Sequence, residues 1–557
     1  VVILQATNVV LPGGATHLAD YSYLGQQSFV ETDYTQPDVR YTLVGTAGGD
    51  DPDTGDIYRG LDRFGRIKDS DWYNYGTSAD ADRIKYGYDR SGSRIWRENT
   101  VARSQGKYFD EKYLYDQIHR LKDMSRGELT NQQSTISNRQ FAQCWGLDET
   151  GNWSNFREDN TGGGTWTLNQ SRTSNTVNEI TDITETVGAS WVTPVYSRAG
   201  NMTTMPQPAS PASSYTATYD AWNRLVKIAS GASTVSEYQY DGAKRRVVQK
   251  SYVSGTLNET RHLYYTDPGK WQVVEERVGT STSANRQFVW GLRYIDDLIL
   301  RDRDTDGNGT LDERHYSLQD ANWNVTGIVN TSGVIQQRFV YTAYGLPVFL
   351  NSSFTAGSNT AGWEVLYAGY RFEAATSLMH VRHRVLNPAL GCWVQRDPIS
   401  ALDSSPLYQY VQCQPTGFID PAGLVALPLI LNPATLSLCL SIPPCAAALA
   451  VGGVAVAAVV LYKWIQIGGE ICRVVAKAIT GAAAICGFYE RWCKWGNVCG
   501  HPPEWRPDGN RAPCGSCFAK CLARGGSWDF LNCPMGNHNG GPPQVTHSDP
   551  VEPTYPC

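Results

Sequence analysis

One short unit recurs through this chain and limits what it can fold into. It reads aromatic-x-aromatic-Asp, then two or three residues that often include Gly or Asn, then Arg and an apolar run. Clear copies are Tyr86-Gly-Tyr88-Asp89-Arg-Ser-Gly92-Ser-Arg94-Ile95 and Tyr113-Leu-Tyr115-Asp116-Gln-Ile-His-Arg120-Leu121. Two more are Tyr219-Asp220-Ala-Trp-Asn223-Arg224-Leu225 and Tyr238-Gln-Tyr240-Asp241-Gly-Ala-Lys-Arg245. Weaker copies begin at Leu61-Asp62, Leu147-Asp148 and Tyr196-Ser. A period of roughly 20 to 30 residues means an array of supersecondary units. Each unit reads as a β-hairpin. Alternating aromatics place rings on one face of a strand, Asp caps a turn, and Gly or Asn supplies a positive φ. These aspartates are therefore turn-formers.

Composition agrees with many short strands. Charged residues make up 18% of the chain, Gly reaches 53, and Tyr (31) and Trp (17) outnumber Phe (14), a mix suited to pleated, half-buried surfaces. The net charge of −6 gives no reason to expect a nucleic-acid groove in the array. The chain opens on Val1 without a visible signal peptide, as expected of a fragment or processed piece. Cysteine usage divides it. Cys144, Cys392 and Cys413 precede residue 425, and the other eleven follow.

An insertion in the array, Asp304-Thr-Asp306-Gly-Asn308-Gly-Thr310-Leu-Asp312-Glu313, has the oxygen-ligand alternation of a calcium loop. His315 stands where a bidentate Glu belongs, with Glu313 as its substitute. Calcium on Asp304, Asp306, Asn308, Thr310, Asp312 and Glu313 competes here with a solvated hairpin loop.

The most specific block runs from 341 to 424. It contains Tyr341-Thr-Ala-Tyr344-Gly345, Gly369-Tyr370-Arg371-Phe372, Arg382-His-Arg384, Asn387-Pro388, Asp397-Pro398-Ile-Ser400 and Asp420-Pro421-Ala-Gly423-Leu424. This block resembles the Rhs repeat-associated core, and the preceding units resemble the YD repeats of Rhs, teneurin and insecticidal-toxin shell proteins. The resemblance implies a mainly β fold, a hairpin array wound into a hollow spiral shell, and the composition after Leu424 adds a small helical and Cys-rich region. Its segments are partial repeats or a strand segment (1–54), the YD array (55–340), the core (341–424), an apolar helical stretch (425–490) and a Cys-rich variable region (491–557).

The resemblance also implies a site. Asp397 and Asp420 would form a carboxylate pair with Arg382 as supporting cation, and the chain would be cut between Leu424 and Val425. Two adjacent carboxylates share one proton, so one can accept from water while the other donates to the carbonyl oxygen. Substrate and site on one chain need only a single turnover. Ser400 where the family has Gly, and Asn387 where it has Asp, depart from the pattern. The alternative is that both Asp-Pro elements are rigid turns that close the shell.

Beyond Leu424, residues 445–462 form an uncharged apolar run, at the lower limit for spanning a bilayer. Cys514, Cys517, Cys521 and Cys533 have zinc-ligand spacing, with disulfides as the competing reading. Two functions are expected. The first is a secreted, Rhs-type polymorphic toxin whose shell encloses its own C-terminal tail as cargo, with an immunity protein and secretion machinery as partners. The second is an uncleaved cell-surface adhesion protein, anchored in the membrane by 445–462.

Overall fold

The computed structural model describes residues 3–4, 8–10, 17–24, 28–44, 59–131, 133–265, 271–398, 406–424 and 426–428. They are almost entirely antiparallel β. The first sheet has fourteen strands and ends at Ile180–Val187; the second has fourteen and runs from Val195–Tyr196 to Pro347–Leu350. Nearly every strand pairs with its neighbours in sequence. A single helical turn, Thr100–Ser104, interrupts the first sheet, with Asn99 accepting from the Ala102 N–H at its start.

Why the repeated residues build this meander is visible at each turn. In Asp220, one carboxylate oxygen accepts the N–H groups of Trp222 (2.9 Å) and Arg224 (3.0 Å), and the other accepts the Arg224 Nε (2.6 Å). Asp62 and Asp116 repeat this arrangement with Arg66 and Arg120. The fourth turn residue takes a positive φ, as at Gly65 and Asn223. His119, Lys244 and Trp323 occupy the same conformation, so the carboxylate brace holds side chains where Gly would be unstrained.

The rest of the motif links one hairpin to the next. Arg66, Arg120 and Arg224 each reach the backbone carbonyl of the following repeat's Asp: Asp89, Asp148 and Asp241. The second aromatic reaches back. Tyr88 donates to the Ile67 carbonyl (2.7 Å), Tyr240 to Leu225 (2.6 Å) and Tyr265 to Arg246 (2.8 Å), and Trp290 donates its indole N–H to Val273 (2.7 Å). A register shift falls at this second aromatic in each of these strands. The bulge re-aims a ring that simple alternation would leave beside its partner. The first aromatic stays inward, and Tyr86, Tyr113 and Tyr238 are buried.

The two sheets and the core segment share one aromatic-rich interior. Trp145 and Trp153 of the first sheet and Ile328 of the second pack with Trp363, Tyr367, Tyr370, Trp393 and Tyr410. Gly391, at φ +67°, lies so close to the Trp153 ring that a Cβ would come within 2.1 Å of it. A small four-stranded sheet, Arg371–Glu373, Leu378–His380, Val385–Asn387 and Cys392–Trp393, carries the core. Phe418–Ile419 then pairs with Leu427–Pro428.

No helix among the described residues is long and apolar enough to cross a membrane. The 445–462 run and Cys514, Cys517, Cys521 and Cys533 lie outside the described residues, as do Val425 and Ser400.

Candidate active site

Three pieces of the core converge on one guanidinium. Arg384 lies in the connection between Leu378–His380 and Val385–Asn387. Asp397 follows the strand Cys392–Trp393, its N–H donating to the Leu407 carbonyl (2.9 Å), and Asp420 directly follows Phe418–Ile419. The Arg384 Nη2 is 3.1 Å from an Asp397 carboxylate oxygen and 3.2 Å from an Asp420 oxygen. All three residues are buried, and the guanidinium lies over the Trp393 ring at 4.4 Å. A charge that deep needs such partners, because leaving either side unpaired is costly.

Arg382, the cation expected beside the two aspartates, is placed differently. Its guanidinium grips Asp296 through two contacts of 2.6 and 2.9 Å and donates to the Pro421 carbonyl. It therefore supports the Asp420-Pro421 turn, while Arg384 stands between the carboxylates. Burial pushes the Asp296 carboxyl above its ordinary range despite this partner. What separates the two arginines is Asp296, 86 residues earlier in sequence.

The segment 420–424 folds back on its own aspartate. The Leu424 N–H donates to Asp420 Oδ1 (2.9 Å), Arg384 Nε donates to the Gly423 carbonyl, and the His383 N–H donates to the Ala422 carbonyl (3.1 Å). Gly423 has φ +68°, and a Cβ there would sit 3.0 Å from the Arg384 nitrogen. Ile419 pairs with Leu427, so Asp420 directly follows a paired strand residue, and residues 420–424 turn back toward it. Behind it, the Asp420 N–H donates to the Tyr370 hydroxyl (2.8 Å), which meets the Tyr410 hydroxyl (3.1 Å). Burial first, and then the Asp420 charge, hold the Tyr370 phenol protonated far above its ordinary value.

Asn387 lies apart from the carboxylate pair. Its Oδ1 accepts from Ala389 and Leu390, and its Nδ2 donates to the Pro206 carbonyl (3.0 Å), so it forms a turn and ties the core to the second sheet.

The Asp304–Glu313 loop satisfies its carboxylates internally. Asp304 accepts from the N–H groups of Gly307 (2.7 Å) and Gly309 (2.8 Å), and Asp306 from that of Asn308 (3.1 Å). Asn308 accepts from the Thr310 N–H (2.8 Å), and Asp312 from Thr305. Glu313 pairs with Arg301 and Arg303. Among the described residues no three His, Cys, Asp or Glu side chains are arranged to hold a metal ion.

The fold is shared with solved toxin structures. A crystal structure of TcdB2-TccC3-Cdc42 matches with a TM-score of 0.53 and 15% identity, over 73% of this chain and 20% of that one. TcdB2-TccC3-TEV matches with a TM-score of 0.53 and 17% identity, over 75% and 20%. This is an Rhs-type YD shell fold. Among curated proteins, the tRNA3(Ser)-specific nuclease WapA of Bacillus spizizenii is 25% identical over 215 residues, 38% of this chain and 8% of its own length. The chain thus spans about a fifth of the solved structures and far less of the nuclease. No family model matches the chain.

Proposed function

We propose that this chain is the shell portion of an Rhs-type toxin-delivery protein that cuts itself between Leu424 and Val425. The observation that carries this reading is the single Arg384 nitrogen shared by two buried carboxylates, with residues 420–424 folded back on Asp420. Of the two carboxyl groups, the ionised one takes a proton from water, whose oxygen adds to the Leu424 carbonyl carbon. The protonated one donates to the carbonyl oxygen. Collapse of the adduct breaks the C–N bond and passes a proton to the Val425 nitrogen, leaving a Leu424 carboxylate and a new amine. The Leu424 N–H on Asp420 and the Gly423 carbonyl on Arg384 fix the residues leading into that bond, so orientation is already provided.

In this reading residues 425–557 are the cargo, and an immunity protein and a secretion apparatus are the partners. The toxin complexes and nuclease whose names accompany the similar proteins support delivery over adhesion. Intact-mass analysis of the full chain beside Asp397→Asn tests it. A wild-type break after Leu424 that is absent from the variant is the expected result. A folded wild-type chain that stays whole overturns the cut and returns both aspartates to turn formation.

A further inference from the structure

A cavity of about 450 Å³ lies between the repeat turns of the second sheet and the core. That volume falls within the ordinary range of small-molecule sites. Its walls include the rings of Tyr240, Tyr265, Phe288 and Trp290, and Trp222, 70% exposed, also lines it. Its charge is lopsided, with seven Arg and Lys side chains against the carboxylates of Asp296 and Asp397.

Four of these cations are already engaged in the ion pairs of Arg224, Arg371, Arg382 and Arg384. Among the described residues, Lys244, Arg246 and Arg396 pair with no carboxylate. Lys244 and Arg396 are exposed. Arg246 is only 8% exposed, and its Nη1 has no hydrogen-bond partner. Its guanidinium lies over the Tyr238 ring, at 5.4 Å.

The nearby Glu373 carboxylate senses the Arg246 charge but makes no hydrogen bond to it. Glu373 accepts instead from Ser236 (2.9 Å), Gln249 (2.8 Å), Thr376 (2.7 Å), Tyr238 and His380 (3.1 Å). Burial, and then the Arg246 charge, push the His380 imidazole down to about 4, so it faces the cavity wall neutral at pH 7. A buried guanidinium nitrogen without an acceptor is costly. The same charge becomes favourable when an anion supplies the missing acceptor.

We propose that this cavity binds a small anion carried on a flat apolar body, a carboxylate or phosphate attached to a ring. The ring packs among Tyr240, Tyr265, Phe288 and Trp290, the anionic group meets Arg246, and Lys244 and Arg396 draw it in. The site does not depend on self-cleavage.

Calorimetric titration of the full chain with phenyl phosphate, phenylacetate and the neutral phenethyl alcohol tests this. At least one anion binds, and the alcohol binds about ten-fold more weakly or worse, because a charge-assisted hydrogen bond is missing. Preference for the phosphate points to a phosphorylated metabolite as the source, and preference for phenylacetate to a carboxylate. Arg246→Met weakens the anion about ten-fold or more and leaves the alcohol unchanged. Since that residue is buried, the exposed pair Lys244→Gln with Arg396→Gln serves as a second variant, with anion affinity a few-fold lower and a flatter salt dependence. Equal binding of alcohol and anions, unchanged affinity in Arg246→Met, or no anion binding up to about 10 mM overturns the proposal.

Discussion

Aspartate does two different things in the repeat turns and in the core. Asp220 finds its donors within four residues, in the Trp222 and Arg224 N–H groups and the Arg224 side chain. Asp397 and Asp420 are brought together instead by Arg384, which is 13 residues before one and 36 before the other. A carboxylate satisfied locally builds the chain, and removing it loosens one hairpin. In the proposed reading, one satisfied through a distant guanidinium, beside a second carboxylate, exchanges a proton and does chemistry. The two environments differ in what surrounds the carboxylate, not in residue type.

The sharpest way to break this contrast is to remove the shared cation. Arg384→Met removes the cation shared by two buried carboxylates and is expected to abolish the proposed cut and cost about 3–5 kcal/mol of stability. Denaturant unfolding and intact mass read the two effects separately. Asp220→Ala, in contrast, is expected to leave the cut intact and cost about 1–2 kcal/mol, through the lost turn hydrogen bonds. Tyr240→Phe, which deletes only the link to the Leu225 carbonyl, is expected to cost about 1 kcal/mol.

Acid separates the turns from other buried acids. Burial by itself would raise the Asp220 carboxyl, but the Arg224 N–H and guanidinium and the Trp222 N–H pull it the other way, and the group titrates below its ordinary value. Its contribution is thus complete above the unfolded carboxyl's pKa of about 4 and fades as pH falls through the lower folded value. Asp71 has the opposite sign. Burial, then the Asp80 charge, push it up to about 8, so its native site favours the protonated form and stability drains away as pH rises from about 4 to about 8. Asp71→Asn is expected to raise the melting temperature relative to wild type by a margin that grows across that window. A margin independent of pH would contradict the assignment.

How much of this could be read in the residues follows the same division. The Asp cap of the turn was legible because the carboxylate finds its backbone donors within five residues, as an Asx pattern implies. The return link was not: Tyr240 bonds a carbonyl fifteen residues earlier, and only a bulge at that tyrosine turns its ring there. His119, Lys244 and Trp323 at positive φ were equally hidden, since local preference alone assigns Gly or Asn to that place. In the core, the two aspartates stood out through their Asp-Pro elements. The choice between Arg382 and Arg384 did not, because the two lie two residues apart and Asp296, which claims the first, is remote in sequence. Tyr370 lies in the Gly369–Phe372 segment of the core block, but nothing local gave its hydroxyl a role, which comes only from Asp420 fifty residues later.

The most direct test sets the two kinds of aspartate side by side. Wild type, Asp220→Asn and Asp420→Asn would be purified as full chains, shown to be folded, and weighed under denaturing conditions. Wild type and Asp220→Asn should both be severed between Leu424 and Val425, and Asp420→Asn should remain a single chain. An intact wild-type chain, or an Asp420→Asn chain cut at the same bond, would contradict the assignment of chemistry to the core pair.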